Sequence, residues 1–150
     1  MSVAPTPVAV TMHSSSAIAQ AIAAIAFDAN GLVPCIAQQH DSGEILMMAW
    51  MNRDAVEETL RTGRVCYFSR ARQALWRKGE TSGHGQALVD LRIDCDGDTL
   101  LALVDQSGVA CHTGRHNCFF RALREEKLAA IAPVLVDPQQ MYGDRKTEDR

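Results

Sequence analysis

Two stretches of this chain repeat one signature, and together they restrict the fold more than any other feature. VPCIAQQ and EILMMAW are strand-like runs separated by HDSG, and ALVDLRI and TLLALV flank DCDGD. Runs of β-branched and apolar residues broken by a few residues of turn chemistry are the pattern of β-hairpins. Hairpins imply antiparallel pairing, and the text between them is not the strand–helix–strand alternation that builds a parallel sheet. RVCYFSR adds a further strand, and NRDAVEETLRTG reads as one helix: Asn52 caps it, Val56 and Leu60 share a face, and Gly63 stops it. The expected class is α+β: strand-rich, with a mostly antiparallel sheet and a few short helices.

The flanks carry weaker patterns. Ile18, Ile22 and Ile25 recur at helical spacing behind Ser14–Ser16, so residues 1–30 are expected to be an N-terminal extension or short helix. No Lys or Arg precedes Arg53, so the basic segment of a secretion signal is missing and a cytoplasmic protein is expected. Residues 31–120 hold the main domain. REEKLAAIA is rich in helix formers, which makes 121–150 a C-terminal helix followed by a frayed tail. Between the third strand and the second hairpin, ARQALWRKGETSGHGQ reads as a long functional loop.

At 150 residues the chain is long enough for one domain with a real core. Its net charge of −3 argues against general binding to nucleic acid, and no apolar run is long enough to span a bilayer. Any anion must therefore be held locally. Arg70, Arg72 and Lys78, with Ser69, Thr81, Ser82 and His84, supply guanidinium forks, an ammonium and hydroxyls suited to phosphate. Trp76 either stacks on a purine or anchors the loop. A solvated basic surface is the plain alternative for the whole run.

DCDGD places one thiol among three carboxylates. Asp94, Asp96 and Asp98 offer oxygens suited to a hard cation such as Mg²⁺, while Cys95 suits Zn²⁺. Strand alternation would point the carboxylates one way and the thiol the other, so that one segment serves two sites. An EF-hand is excluded, because its sixth position is Thr99, its twelfth is Asp105, and no helix pair flanks it. Cys111 and Cys118 lie in CHTGRHNC without CxxC or zinc-finger spacing, which disfavours a structural four-cysteine site. Three thiolates would leave one tetrahedral position open, as catalytic zinc requires, and His112 and His116 are at hand as a fourth ligand or proton carrier. Cys35 and Cys66, in apolar strands, are small buried hydrophobes. A closed, non-catalytic zinc module is the competing class, but it leaves the aspartates and KGETSGH unexplained. A zinc deaminase would need H-x-E and P-C-x-x-C, and neither is present.

In order, AWMN, TGRVCYFSRAR, LWRKGETSGH, DCDGD, ACHTG and CF resemble the phosphoribosyl-AMP cyclohydrolases of histidine biosynthesis, over roughly Gly31 to Phe120. The resemblance implies hydrolytic opening of the adenine ring of N1-(5-phosphoribosyl)-AMP at the N1–C6 bond, by a zinc- and magnesium-dependent enzyme. It implies an intertwined homodimer in which Cys95 of one chain meets Cys111 and Cys118 of its partner on zinc. Mg²⁺ would fall on Asp94, Asp96 and Asp98, and His112 would be catalytic. A single activity is expected, since the tail after Phe120 is too short for the second domain that some relatives carry.

Overall fold

The computed structural model describes residues 11–142 of the chain. Its elements follow the order α1 (Ser15–Ala24), β1 (Val33–Gln39), β2 (Ile45–Met51), α2 (Arg53–Thr62), β3 (Cys66–Ser69), β4 (Ala74–Arg77), β5 (Gln86–Ile93), β6 (Leu100–Gln106), β7 (Arg121–Arg124), β8 (Lys127–Ala130) and α3 (Pro138–Tyr142). The class is α+β, as expected. No helix among the described residues is long and apolar enough to cross a membrane.

Both hairpins form, and one sheet of order β2-β1-β6-β5 joins them. Within each hairpin the strands are antiparallel, but β1 and β6 run parallel where the hairpins meet, pairing Cys35 with Leu100 through Gln39 with Val104. The core follows from alternation: Val33, Cys35 and Ala37 on β1 and Leu100, Ala102 and Val104 on β6 are fully buried. Burial raises the Cys35 thiol to about 12, which suits an inert core side chain.

α2 ends where its sequence says it should. The Ala55 N–H donates to Asn52 Oδ1 at 2.9 Å, and Gly63, at φ 73°, donates back to the Thr59 carbonyl. That left-handed φ is costly for a side-chain-bearing residue and cheap for glycine. Replacing Asn52 with Ala should remove about 1 kcal/mol of stability, read as a lower urea midpoint at unchanged m-value. The helix packs on α1, β2 and β3.

α1 also forms, with Ser14 Oγ accepting from the Ala17 N–H at 3.2 Å. Ile18, Ile22 and Ile25 belong to the main core, so this segment is part of the domain. Beyond α1, the Ala26 N–H donates to the Gly97 carbonyl at 2.7 Å. A Cβ on Gly97 would collide with the Ala24 carbonyl oxygen, so only glycine allows the end of α1 to lie against the DCDGD tip.

Two expectations fail. The long loop is interrupted by β4, which pairs with β3 so that Tyr67 opposes Trp76 with ring centroids 5.4 Å apart. A cross-strand aromatic pair stabilises such a hairpin, and four residues among charges and glycines are too few to show a period. REEKLAAIA is not helical: β7 and β8 form a hairpin that turns at Glu125 and Glu126, with φ of 50° and 63°. Helix-forming composition decides little when no face is buried, and both strands are largely exposed. α3 follows, and its Met141 and Tyr142 are buried against Val109 and Val136. The rest of the tail expected to fray lies outside the described residues.

Candidate metal centre

The DCDGD tip is a turn, not a continuation of strand. The Asp94 N–H donates to the Thr99 carbonyl, and Asp94 Oδ1 accepts from the Asp98 and Thr99 N–H groups at 2.9 and 3.2 Å. The turn, more than strand alternation, draws the carboxylates together. Asp94, Asp96 and Asp98 can each place an oxygen within 4.8 Å of the others, and among the described residues they are the only such set of three or more His, Cys, Asp or Glu side chains. Cys95 is exposed beside them and is not part of that set.

Crowding shows in the acidities. Hydrogen bonds shared with Asp96 and Asp94 raise the Asp98 carboxyl to about 6. For Asp94, slight burial works upward, but the hydrogen bonds from Asp98 and from the Thr99 and Asp98 backbone prevail and hold it below the ordinary range. An oxygen-only cluster that retains a proton this far up the pH scale fits a hard divalent cation.

CHTGRHNC closes as a compact loop: the Ala110 N–H donates to the His116 carbonyl, Cys111 to Arg115, and Gly114 back to Cys111. Cys111 is buried, with Sγ 3.0 Å from Thr113 Oγ1, and Cys118 and His112 are half-buried. Cys118 is fixed to β2, its N–H donating to the Leu46 carbonyl at 2.8 Å. Cys95, Cys111 and Cys118 do not gather into one set within the single chain. No disulfide joins any of the five cysteines. Thiols such as the exposed Cys95, the buried Cys111 and the half-buried Cys118 are donors of the kind zinc prefers.

The anion-binding candidates divide into two groups. Ser69, Arg70 and Arg72 lie at the β3–β4 tip, where Ser69 is buried and accepts the Arg72 N–H at 3.1 Å, and the Arg70 guanidinium sits 4.9 Å over the Trp50 ring. Lys78, Thr81, Ser82 and His84 follow the other end of β4, about 10 Å away at the rise of a strand. Trp76, at 1% exposure, presents no face to solvent and anchors β4. Lys78 is buried, and its Nζ donates to the Ala110 carbonyl at 3.0 Å. His84 Nδ1 lies 3.0 Å from the Val109 N–H and 3.3 Å from the Val109 carbonyl. KGETSGH is thereby tied to the cysteine loop at two points. Beside it opens a cleft of about 580 Å³ whose walls include Arg61, Arg64, Arg77, Gly79, Gly83 and Ser107.

Reading the motifs missed Glu44. Its carboxylate accepts from His116 Nδ1 at 2.8 Å and from Asn117 Nδ2 at 2.7 Å. Partial burial would raise its pKa, but the bonds from Asn117 and His116 hold it below the usual carboxylate range. Nothing in the sequence pairs residues 72 positions apart.

Comparison with known proteins gives the family. The family model described as phosphoribosyl-AMP cyclohydrolase matches residues 47–120. A phosphoribosyl-AMP cyclohydrolase of Alkalilimnicola ehrlichii is 64% identical over 121 residues, covering 81% of this chain and 85% of the relative. That of Rhodospirillum centenum is 62% identical over 130 residues, 86% of this chain and 98% of the relative. That of Paramagnetospirillum magneticum is 64% identical over 124 residues, 83% and 94%. At this level of kinship the chain is an enzyme, of the hydrolase class. It belongs to the phosphoribosyl-AMP cyclohydrolase family.

Proposed function

We propose that the chain catalyses the reaction its relatives are named for, in histidine biosynthesis, and does so by hydrolysing the N1–C6 bond of the adenine ring in N1-(5-phosphoribosyl)-AMP. Water oxygen bonds to C6, the N1–C6 bond breaks, and N1 takes a proton to give the formimino-carboxamide ribotide. Alkylation at N1 makes the ring cationic near neutral pH, so C6 is already electrophilic. The observation that carries the reading is the pair of bonds, Lys78 to Ala110 and His84 to Val109, joining the anion-suited segment to the cysteine loop.

Cys111 and Cys118 of one chain, with Cys95 of a partner chain, would hold zinc. Bound there, the ion would supply Lewis acidity that brings the pKa of water toward ~7. His112, next to Cys111, accepts the proton of the attacking water and returns it to N1. Arg70, Arg72 and Lys78 answer the charge of two phosphates, and the separation of their two groups suits a substrate with an anion at each end. A homodimer is supported by the apolar groove of about 600 Å³ between β2 and the segment after Cys118, where Ile45, Met48 and Phe119 stand 48%, 39% and 55% exposed. The reducing cytoplasm suits a chain with five cysteines and no disulfide. Adding phosphoribosyl-AMP and following ultraviolet absorbance tests the activity; no change with metal-replete dimer would refute it.

Mg²⁺ would bind Asp94, Asp96 and Asp98. Because the Asp98 carboxyl titrates at about 6, above an ordinary aspartate, it keeps a proton below that pH and the full negative charge appears only above it. A cation must displace that proton under acid conditions, so affinity should rise as pH climbs from about 5 to about 7.5, with proton release on binding at the lower end. Calorimetry with Mg²⁺ or Mn²⁺ in buffers of different ionisation enthalpy measures both. Affinity that stayed flat across this range would contradict the assignment.

A further inference from the structure

Glu44 bonds the cysteine loop through its carboxylate, and no motif contains it. It lies one residue before β2, its N–H held by Ser42 Oγ at 3.2 Å and its carbonyl accepting from the Gln39 N–H at 2.8 Å. Its position is therefore set by the β1–β2 hairpin. From there its two oxygens take His116 Nδ1 and Asn117 Nδ2, the two side chains that immediately precede Cys118. Two positions on, within β2, the Leu46 carbonyl takes the Cys118 N–H. The hairpin thus grips the segment between the two thiols by side chain and by backbone.

We propose that Glu44 is a positioning residue for the metal: through His116 and Asn117 it presets the spacing of Cys111 and Cys118 before an ion binds. The inference rests on the zinc reading above. Backbone bonds close the loop across its neck, from Ala110 to His116 and from Cys111 to Arg115, and the Leu46 bond ties it to β2, but main-chain bonds leave the His116 and Asn117 side chains their rotamer freedom. A charged acceptor that receives two N–H donors removes that freedom, and its hydrogen bonds are stronger than neutral ones. Thiols already placed pay less ordering entropy when a cation arrives.

The test compares Zn²⁺ affinity, by competition with a chromophoric chelator, in the intact dimer and in Glu44→Ala, Glu44→Gln and Cys111→Ser. Loss of a partner that orients metal ligands typically weakens binding about 10–100-fold, and Glu44→Ala should fall in that range. Glu44→Gln keeps one oxygen acceptor and should recover part of the loss, with Asn117→Ala, which removes one donor, between it and wild type. The Co²⁺-substituted Glu44→Ala protein should show altered thiolate-to-metal absorption, which a change in global stability alone would not produce. If Cys111→Ser abolishes Zn²⁺ binding while Glu44→Ala binds within about twofold of wild type, the positioning role is wrong and the zinc site stands. If Cys111→Ser binds Zn²⁺ as wild type does, the zinc reading itself fails.

Discussion

A Cys111→Ser protein should lose both its zinc and its turnover. A metal that contributes several kcal/mol of transition-state stabilisation corresponds to a rate loss of at least ~10³. Serine preserves the size of the side chain and the possibility of a bond to Thr113, so the fold should survive and the loss should be chemical. Metal content by atomic emission and turnover by absorbance would be measured on the same sample. Full activity without metal would end the zinc mechanism. The proposal that two subunits share the site makes a sharper claim. In Cys111→Ser and Cys95→Ser homodimers every site lacks one thiol. In a heterodimer of the two, one site draws Cys95 from the first variant and Cys111 with Cys118 from the second, and is complete. Random reassociation of equal amounts puts half the chains in heterodimers with one good site of two, so about a quarter of wild-type activity should return. Sites built within a single chain would give no recovery on mixing.

Replacing His112 with Ala should cost about two or more orders of magnitude in kcat, the usual worth of a positioned proton carrier. The residue adjoins Cys111 and is half-buried, so the substitution disturbs little packing and should leave zinc content unchanged. Retained metal with lost turnover separates proton transfer from metal binding. The pH profile should lose the limb that reports the imidazole, and small exogenous imidazoles should restore part of the rate. Wild-type turnover in this variant would remove His112 from the scheme.

The elements that could be recognised from the residues alone are those whose signals are local. Asn52 and Gly63 bracket α2 because capping chemistry acts within four residues, and HDSG and DCDGD announce their turns for the same reason. β4 and the β7–β8 hairpin eluded such reading because their causes are distant or absent. Trp76 becomes part of a strand by meeting Tyr67, and residues 121–130 lack any buried face that would have imposed a period. The parallel junction of β1 with β6 likewise joins positions 65 residues apart, beyond what hairpin signals describe. At the site, the aspartates were apparent as a set, though the turn rather than alternation brings them together. Glu44 and the bonds from Lys78 and His84 to the loop before Cys111 depend on tertiary placement and leave no local mark.

The span that identifies the family begins at residue 47, yet one of the two interior strands of the sheet, β1, ends at Gln39, and the helix abutting Gly97 ends earlier still. A fragment trimmed to the recognisable text would keep every proposed ligand and lose the strand between β2 and β6, together with the buttress behind the aspartates. The smallest piece that can be named is smaller than the smallest piece that can stand, and deletion mapping of this enzyme would mistake missing scaffolding for missing chemistry.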